Sequence, residues 1–129
     1  GTFAGNPVAC EAALTVIDIM EEEQLSAKAE VIGAKIEDKL TELSRKHDFV
    51  GEIRRLGAMV AVEIVEDQKG NQPDAAKTGA IAKYANANGL LLLTAGINGN
   101  VVRFLPPLVI TDDELEKGFA ILEAAFENQ

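Results

Sequence analysis

Arg103 is the residue of this chain whose type and position most clearly suggest chemistry. It interrupts the apolar run of residues 101–105, directly after a segment rich in glycine and asparagine. A guanidinium in such a place needs an anion, and its planar fork suits a carboxylate held by two parallel hydrogen bonds. The same pattern fits an exposed residue on the polar face of an edge strand. The sequence therefore indicates a candidate carboxylate site and leaves this structural alternative open.

A second candidate is the segment of residues 1–7, which is rich in glycine and hydroxyl groups. It precedes a predicted helix that begins at Asn6 and Pro7, and the free backbone N–H groups of a helix N-terminus favour phosphate. Its spacing matches neither a Walker loop nor a dinucleotide-binding motif. An ordinary helix-entry loop therefore stays open as the alternative.

The remaining reactive side chains point to structure more than to chemistry. Arg54 and Arg55 could bind an anion or form an exposed pair at a strand start, and His47 is predicted to be a solvated cation that interacts with a helix dipole. None of the eight lysines lies in an apolar segment that would activate it as a nucleophile. With one cysteine, Cys10, and one histidine, a single copy cannot assemble a disulfide, a zinc cluster or a Ser/His/Asp triad.

The amino-acid composition limits the classes of protein to which the chain can belong. The chain has 129 residues, 47% of them hydrophobic, with 12 basic against 21 acidic side chains and a net charge of −9. These values predict one globular domain and disfavour nucleic acid or an anionic membrane as partners. The lack of a long apolar run or a signal-peptide pattern predicts a cytoplasmic protein. Because a helix signal comes within ten residues of Gly1, we expect a fragment of a longer chain.

The periodicity of apolar residues predicts the elements that position these candidates. A helix from Pro7 to about residue 22 is followed by a second, longer one, in which Gly33 suggests a close contact. Later come a strand at residues 59–65, a helix at 75–88, a hairpin-like pair of strands at 90–93 and 101–105, and a last helix that begins with a capping box at Thr111. Helices at both ends of a small sheet predict an α+β layer fold.

Four separated motifs together resemble the C-terminal part of the class III (ω-amino acid) pyridoxal-phosphate aminotransferases, and most of all the branch that acts on 4-aminobutyrate. The resemblance covers essentially the whole chain, in order. The motifs are Gly1-Thr2-Phe3-Ala4-Gly5-Asn6-Pro7-Val8-Ala9-Cys10, Arg55-Leu56-Gly57-Ala58-Met59-Val60-Ala61-Val62-Glu63, Gly89-Leu90-Leu91-Leu92-Leu93 and Asn100-Val101-Val102-Arg103-Phe104-Leu105-Pro106-Pro107-Leu108.

The resemblance implies the small C-terminal domain of an aspartate aminotransferase-like fold, with helices packed on a mainly antiparallel sheet. Residues 1–24 would form a cofactor loop and connecting helix, and residues 25–129 the small domain. The catalytic lysine lies upstream in that family, so no catalytic residue is expected here. By motif, Thr2 would donate its hydroxyl to the phosphate of pyridoxal 5′-phosphate (PLP) in the partner subunit of a homodimer, and Arg103 would bind a carboxylate of glutamate or 2-oxoglutarate.

The implied activity is transfer of the amino group of 4-aminobutyrate to 2-oxoglutarate by the full-length enzyme. The fragment itself is expected to be inactive and to hold no PLP or metal. Ornithine and acetylornithine aminotransferases, a decarboxylase or aminomutase on the same scaffold, and a stand-alone ligand-binding or dimerisation module are the alternatives. One departure stands out: related sequences usually have glycine where this chain has Arg55, so no function is carried over to Arg54 or Arg55.

Overall fold

Four helices and four strands build the chain, and the computed structural model describes all 129 residues. In chain order the elements are α1 (Pro7–Glu22), α2 (Leu25–Lys46), β1 (Val50–Leu56), β2 (Met59–Ile64), α3 (Ala75–Ala87), β3 (Leu93–Ala95), β4 (Val101–Phe104) and α4 (Asp112–Glu127). No helix is long and apolar enough to cross a bilayer.

The four strands form one antiparallel sheet in the order β1-β2-β4-β3. Val62 faces Val102 and Val60 faces Phe104 across the ladder between β2 and β4. Since side chains alternate along a strand, these residues share one face of the sheet, and Ala61 and Arg103 share the other. The predicted antiparallel α+β architecture is confirmed.

The core lies between the sheet and helices α2, α3 and α4. Its largest fully buried side chains are Phe126, Leu40, Leu43, Ile64, Ile81 and Leu122. Burying an aliphatic or aromatic side chain of this size contributes about 1.5–3 kcal/mol, so this layer dominates the stability of the domain. The opposite face of the sheet, which we call the open face, carries the exposed Arg54 and Arg103.

The helix start signals in the sequence are confirmed. The Asn6 side chain accepts a hydrogen bond from the Ala9 N–H, and Thr111 with Glu114 forms the predicted capping box of α4. Gly33 also marks the expected close contact, because a Cβ there would lie 1.8 Å from the carbonyl oxygen of Gly57 in the β1–β2 turn.

Two strands differ from prediction. The sequence pattern predicts no strand at residues 50–56, because a register shift between Val50 and Ile53 breaks the alternation of β1. The strand expected at 90–93 lies instead at Leu93–Ala95. Before it, the N–H of Leu90 donates to Ala85 O and that of Leu92 to Asn86 Oδ1, so the end of α3 takes these hydrogen-bonding groups away from the sheet.

Helix α1 stands apart from the core. None of its residues is buried, and among the helices and strands it contacts only α2. It begins after a turn and ends near Gln24, whose φ of 51° turns the chain into α2. Large apolar side chains along α1, including Leu14 and Ile17, are more than half exposed.

Candidate functional site

Arg103 lies on β4, an inner strand of the sheet, and its side chain is exposed on the open face. Its cross-strand neighbours are Ala61 on β2 and Leu93 on β3. Of these two neighbours, Ala61 has the smaller side chain. The alternative of an edge-strand residue is wrong, because β4 is paired on both sides.

The turn before β4 is fixed to the sheet rather than free. Gly96 and Gly99 have φ values of 85° and 65°, the left-handed conformation that glycine adopts without steric cost. Asn100 is buried, its Nδ2 donates to Ile64 O at 3.2 Å, and Ile64 N donates to Asn100 O at 2.7 Å. These bonds hold the start of β4 and so set the position of Arg103.

No carboxylate oxygen lies within 4.0 Å of the Arg103 guanidinium. This is notable in a chain with 21 acidic and 12 basic side chains. A guanidinium has five N–H donors in a planar fork and no acceptor. An exposed, unpaired arginine on a fixed inner strand is a site that can receive a carboxylate in two parallel hydrogen bonds.

An apolar cavity of about 290 Å³ adjoins this position. Its lining includes Leu91, Phe104, Pro107 and Phe119 together with part of Arg103. Arg103 therefore lies at the boundary between this apolar lining and the exposed open face. Such mixed surroundings strengthen a charge-assisted hydrogen bond relative to one in bulk water.

Arg54 and Arg55 are both paired, and they point to different faces. Arg54 Nη1 donates to Glu52 Oε2 at 2.6 Å and to Glu63 Oε1 at 2.7 Å on the open face. The hydrogen bond to Glu63, with that to Glu52, raises the pKa of Arg54 above its ordinary value.

Arg55 reaches the helix layer instead. Its Nη1 donates to Glu30 at 2.6 Å and its Nε to Glu37 at 2.8 Å, both on α2. These bonds, the one to Glu30 first, raise the pKa of Arg55. Arg55 thus ties β1 to α2 and takes no part in the open face. The sequence left two alternatives for Arg54 and Arg55, anion binding and an exposed pair at a strand start. Because both arginines are bound to carboxylates of the chain, the structure does not support anion binding by either one.

Thr2 lies in an exposed turn ahead of α1, and the structure does not bring it near Arg103, since α1 contacts only α2. Its hydroxyl makes no hydrogen bond, and the N–H groups of Thr2, Phe3 and Gly5 donate to no acceptor within the chain. A phosphate needs such donors, and the following helix N-terminus adds a favourable dipole. The donor set of this turn therefore fits the phosphate of PLP.

His47 differs from prediction. It packs between two rings, with centroid distances of 5.1 Å to Phe49 and 5.9 Å to Phe126, and its Nε2 is buried without a hydrogen-bond partner. It therefore packs at the edge of the core rather than standing in solvent. Sequence patterns could not predict this packing, because the contact with Phe126 joins residues far apart in the chain.

Five of the eight lysines are held by carboxylates: Lys28, Lys35, Lys39, Lys46 and Lys77. Lys39, whose side chain is 15% exposed, donates to Glu123 at 2.9 Å, and this bond raises its pKa. A lysine that forms a covalent bond with a carbonyl group needs the opposite shift. No group of three or more potential metal-ligating side chains occurs in the structure.

The comparisons with known proteins identify the family. Residues 1–126 match the family described as "Aminotransferase class-III". The chain therefore belongs to the class III aminotransferases, as the four motifs suggested.

Individual relatives show which members of the family the chain is similar to. The chain is 60% identical over 124 residues to a probable 4-aminobutyrate aminotransferase of Bacillus subtilis (strain 168), with 96% of this chain and 28% of that protein covered. It is 44% identical to 4-aminobutyrate aminotransferase GabT of Escherichia coli (strain K12), with 98% and 30% covered. It is 42% identical to 5-aminovalerate aminotransferase DavT of Pseudomonas aeruginosa, with 98% and 30% covered. The chain spans less than a third of the length of these relatives.

Solved structures share the fold. An aminotransferase of Bacillus anthracis superposes with a TM-score of 0.90 at 30% identity, over 100% of this chain and 30% of that one. An amine transaminase from an uncultivated Pseudomonas species, in its PLP-bound form, superposes with a TM-score of 0.86 at 37% identity, over 99% and 29%. The expected fold, that of the aspartate aminotransferase-like enzymes, is confirmed.

Proposed function

We propose that this chain is the C-terminal part of a PLP-dependent transaminase that moves the amino group of 4-aminobutyrate to 2-oxoglutarate, giving succinate semialdehyde and glutamate. The observation that carries the proposal is the unpaired Arg103 on the open face of the sheet. The 60% identity to a probable 4-aminobutyrate aminotransferase supports the choice of amino donor.

Arg103 binds a carboxylate of the substrate in this proposal. Its position on an inner strand, fixed by Asn100 and flanked by Ala61, keeps the fork in one place. A fixed fork orients a dicarboxylate and lowers the entropy lost on binding, but it breaks no bond itself. Arg103 therefore determines which substrates bind, while the bond-breaking groups lie elsewhere.

Thr2 donates its hydroxyl to the phosphate of PLP, together with the free N–H groups of its turn. PLP, when bound, supplies an electron sink for the charge that develops on the carbon bearing nitrogen. The exposed, weakly anchored position of Thr2 fits a phosphate bound in the partner subunit of a homodimer rather than one held by this domain.

The distribution of buried residues supports the proposed division of the chain. Residues 1–24 form a loop and connecting helix with no buried residue, and residues 25–129 contain the core and the sheet. The apolar side chains exposed on α1 then pack against the rest of the longer protein. The lysine that binds PLP belongs to that remainder, so this chain alone is inactive. The enzyme acts in the cytoplasm.

A second amino donor has specific support. The relative of Pseudomonas aeruginosa that is 42% identical is named for 5-aminovalerate, which is one methylene longer than 4-aminobutyrate. A site seldom discriminates strongly against one methylene, which is worth about 1–3 kcal/mol in a pocket. The two donors must therefore be compared directly.

The test uses the longer protein that carries this chain, supplied with PLP and 2-oxoglutarate. Each of 4-aminobutyrate, 5-aminovalerate, ornithine and acetylornithine is added separately, and glutamate and the carbonyl product are measured. Equal amounts of glutamate and succinate semialdehyde, formed fastest from 4-aminobutyrate, support the proposal. If only another donor is turned over, the chain still belongs to a transaminase, but its amino donor is not 4-aminobutyrate. Carbon dioxide release or a rearranged amine without glutamate identifies the decarboxylase or aminomutase alternative, and binding without any product identifies a ligand-binding module.

A further inference from the structure

Two of the chain's seven asparagines are followed directly by glycine: Asn88 precedes Gly89, and Asn98 precedes Gly99. The backbone nitrogen of the residue after an asparagine can attack the side-chain carbonyl carbon. Glycine favours this reaction because it has no side chain to obstruct the approach and the widest range of backbone angles. The other asparagines precede a proline, which has no N–H, or residues with side chains. Spontaneous modification is therefore expected first at these two positions.

The side chains of the two asparagines are held differently. Asn88 is the C-cap of α3, and its Nδ2 donates to Tyr84 O at 2.9 Å, which ties the carboxamide to the helix end. Asn98 lies in the turn between β3 and β4, outside every helix and strand, and its carboxamide makes no hydrogen bond within the chain. The carboxamide of Asn98 can therefore turn toward the next nitrogen without first breaking an internal bond.

The attacking nitrogens do not differ in the same way. The N–H of Gly89 donates to Asn86 O at 3.3 Å, and that of Gly99 donates to Gly96 O at 3.1 Å. Each nitrogen thus has one backbone hydrogen bond to lose. The difference in reactivity between the two positions comes from the asparagine side chain.

We propose that Asn98 is a site of spontaneous modification, at which aspartate and isoaspartate form and the carboxylate site loses affinity for substrate. The Gly99 nitrogen bonds to Cγ of Asn98, the Cγ–Nδ2 bond breaks, and Nδ2 leaves as ammonia with the proton of that nitrogen. Water then opens the cyclic imide at either carbonyl group and gives aspartate or isoaspartate. The loss of affinity rests on the proposed function, because it takes Arg103 to bind substrate.

The turn that contains Asn98 is closed at both ends, because Ala95 on β3 pairs with Val101 on β4. Isoaspartate adds one carbon atom to the main chain of this closed turn. The extra length falls beside Asn100, which is buried and whose Nδ2 donates to Ile64 O at 3.2 Å. That bond holds the start of β4, so isoaspartate in the turn shifts the strand that carries the substrate-binding arginine.

The experiment follows the two asparagines in the longer protein that carries this chain. The protein is kept at constant pH and temperature, and samples taken over time are digested and analysed by liquid chromatography and mass spectrometry. Conversion replaces an amide by an acid and so raises the peptide mass, and the two products separate by retention time. Asn98→Gln and Asn88→Gln are matched variants, since glutamine must close a larger ring and reacts more slowly.

Asn98 is expected to convert about fivefold faster than Asn88, the rate factor that corresponds to one hydrogen bond of about 1 kcal/mol. Asn98→Gln removes the conversion in the turn and leaves that at Asn88 unchanged. In the transamination assay, the converted protein has a KM for 2-oxoglutarate raised by up to about fivefold, the worth of the Asn100 hydrogen bond, with kcat unchanged. Asn98→Gln keeps its KM after the same treatment.

Conversion at Asn88 that is as fast as that at Asn98 overturns the assignment of the site, and so does an Asn98 that stays intact in the longer protein. Complete conversion with an unchanged KM overturns the link to the carboxylate site. The failure of the proposed function is distinct, since it is a lack of glutamate formation by the freshly prepared protein. The mass measurement requires no turnover and is unaffected by that failure.

Discussion

Gly33 on α2 offers the sharpest test of the packing, because one added methyl group meets backbone there. A Cβ at residue 33 would lie 1.8 Å from Gly57 O and 2.8 Å from Gly57 C, so α2 and the β1–β2 turn must separate by roughly 1.6 Å to restore ordinary contact. Overpacking of this kind costs about 3 kcal/mol, and the better helix propensity of alanine returns about 1 kcal/mol. Gly33→Ala is therefore expected to lower the free energy of unfolding by about 2 kcal/mol.

Gly79 provides the matched control for this substitution. It lies inside α3, exposed, and a Cβ there would meet nothing within 4 Å. Gly79→Ala should therefore raise the free energy of unfolding by about 1 kcal/mol, so the same chemical change has opposite signs at the two positions.

Urea unfolding followed by circular dichroism measures both variants. With a slope of about 2 kcal/mol per molar urea, the two midpoints should differ by about 1.5 M. If Gly33→Ala is as stable as the unaltered chain, or gains stability as Gly79→Ala does, the close approach of α2 to the turn is refuted.

Three further predictions concern stability. Thr111→Ala removes the capping box of α4 and should cost about 1 kcal/mol in urea unfolding, whereas Thr111→Ser should retain most of it. Hydrogen bonds from Lys46 first, and then from Lys39, lower the pKa of Glu123 from 4.5 to about 2, so its stabilising contribution is complete above pH 4.5 and is lost as the pH falls toward 2. Glu123→Gln should flatten the loss of stability in that pH window, and an unchanged acid profile would contradict the assignment. Asn100→Ala removes the bond to Ile64 O and should cost about 1 kcal/mol; a neutral effect would show that this bond does not hold the turn.

The parts of the fold that the sequence predicted are those specified by local patterns. The capping box at Thr111 fixes the start of α4, and alternating valines fix β2, because each depends on residues within a few positions. Strand β1 was missed since its register shift disrupts that alternation. Strand β3 was placed too early because Leu90 and Leu92 read as strand residues but bond to the end of α3.

For the site, too, the sequence predicted what local patterns specify and missed what depends on distant partners. Arg103 was identifiable from the sequence, because a charged residue inside an apolar run is a local anomaly. Its lack of a carboxylate partner within the chain was not, since cross-strand partners are set by register, and Glu63 on the neighbouring strand binds Arg54. The role of Arg55 was hidden for the same reason, as its partners lie on α2, 18 and 25 residues away.

The measurement that tests the central claim most directly is the KM for 2-oxoglutarate of the longer protein with Arg103→Ala. Arg45→Ala is the matched control, since Arg45 is also exposed and has no carboxylate within 4.0 Å but lies in the last turn of α2. Loss of a bidentate pair worth about 3 kcal/mol should raise the KM roughly 100-fold in Arg103→Ala and leave it unchanged in Arg45→Ala. An Arg103→Ala enzyme with an unaltered KM for 2-oxoglutarate would contradict the proposal that Arg103 binds the substrate carboxylate.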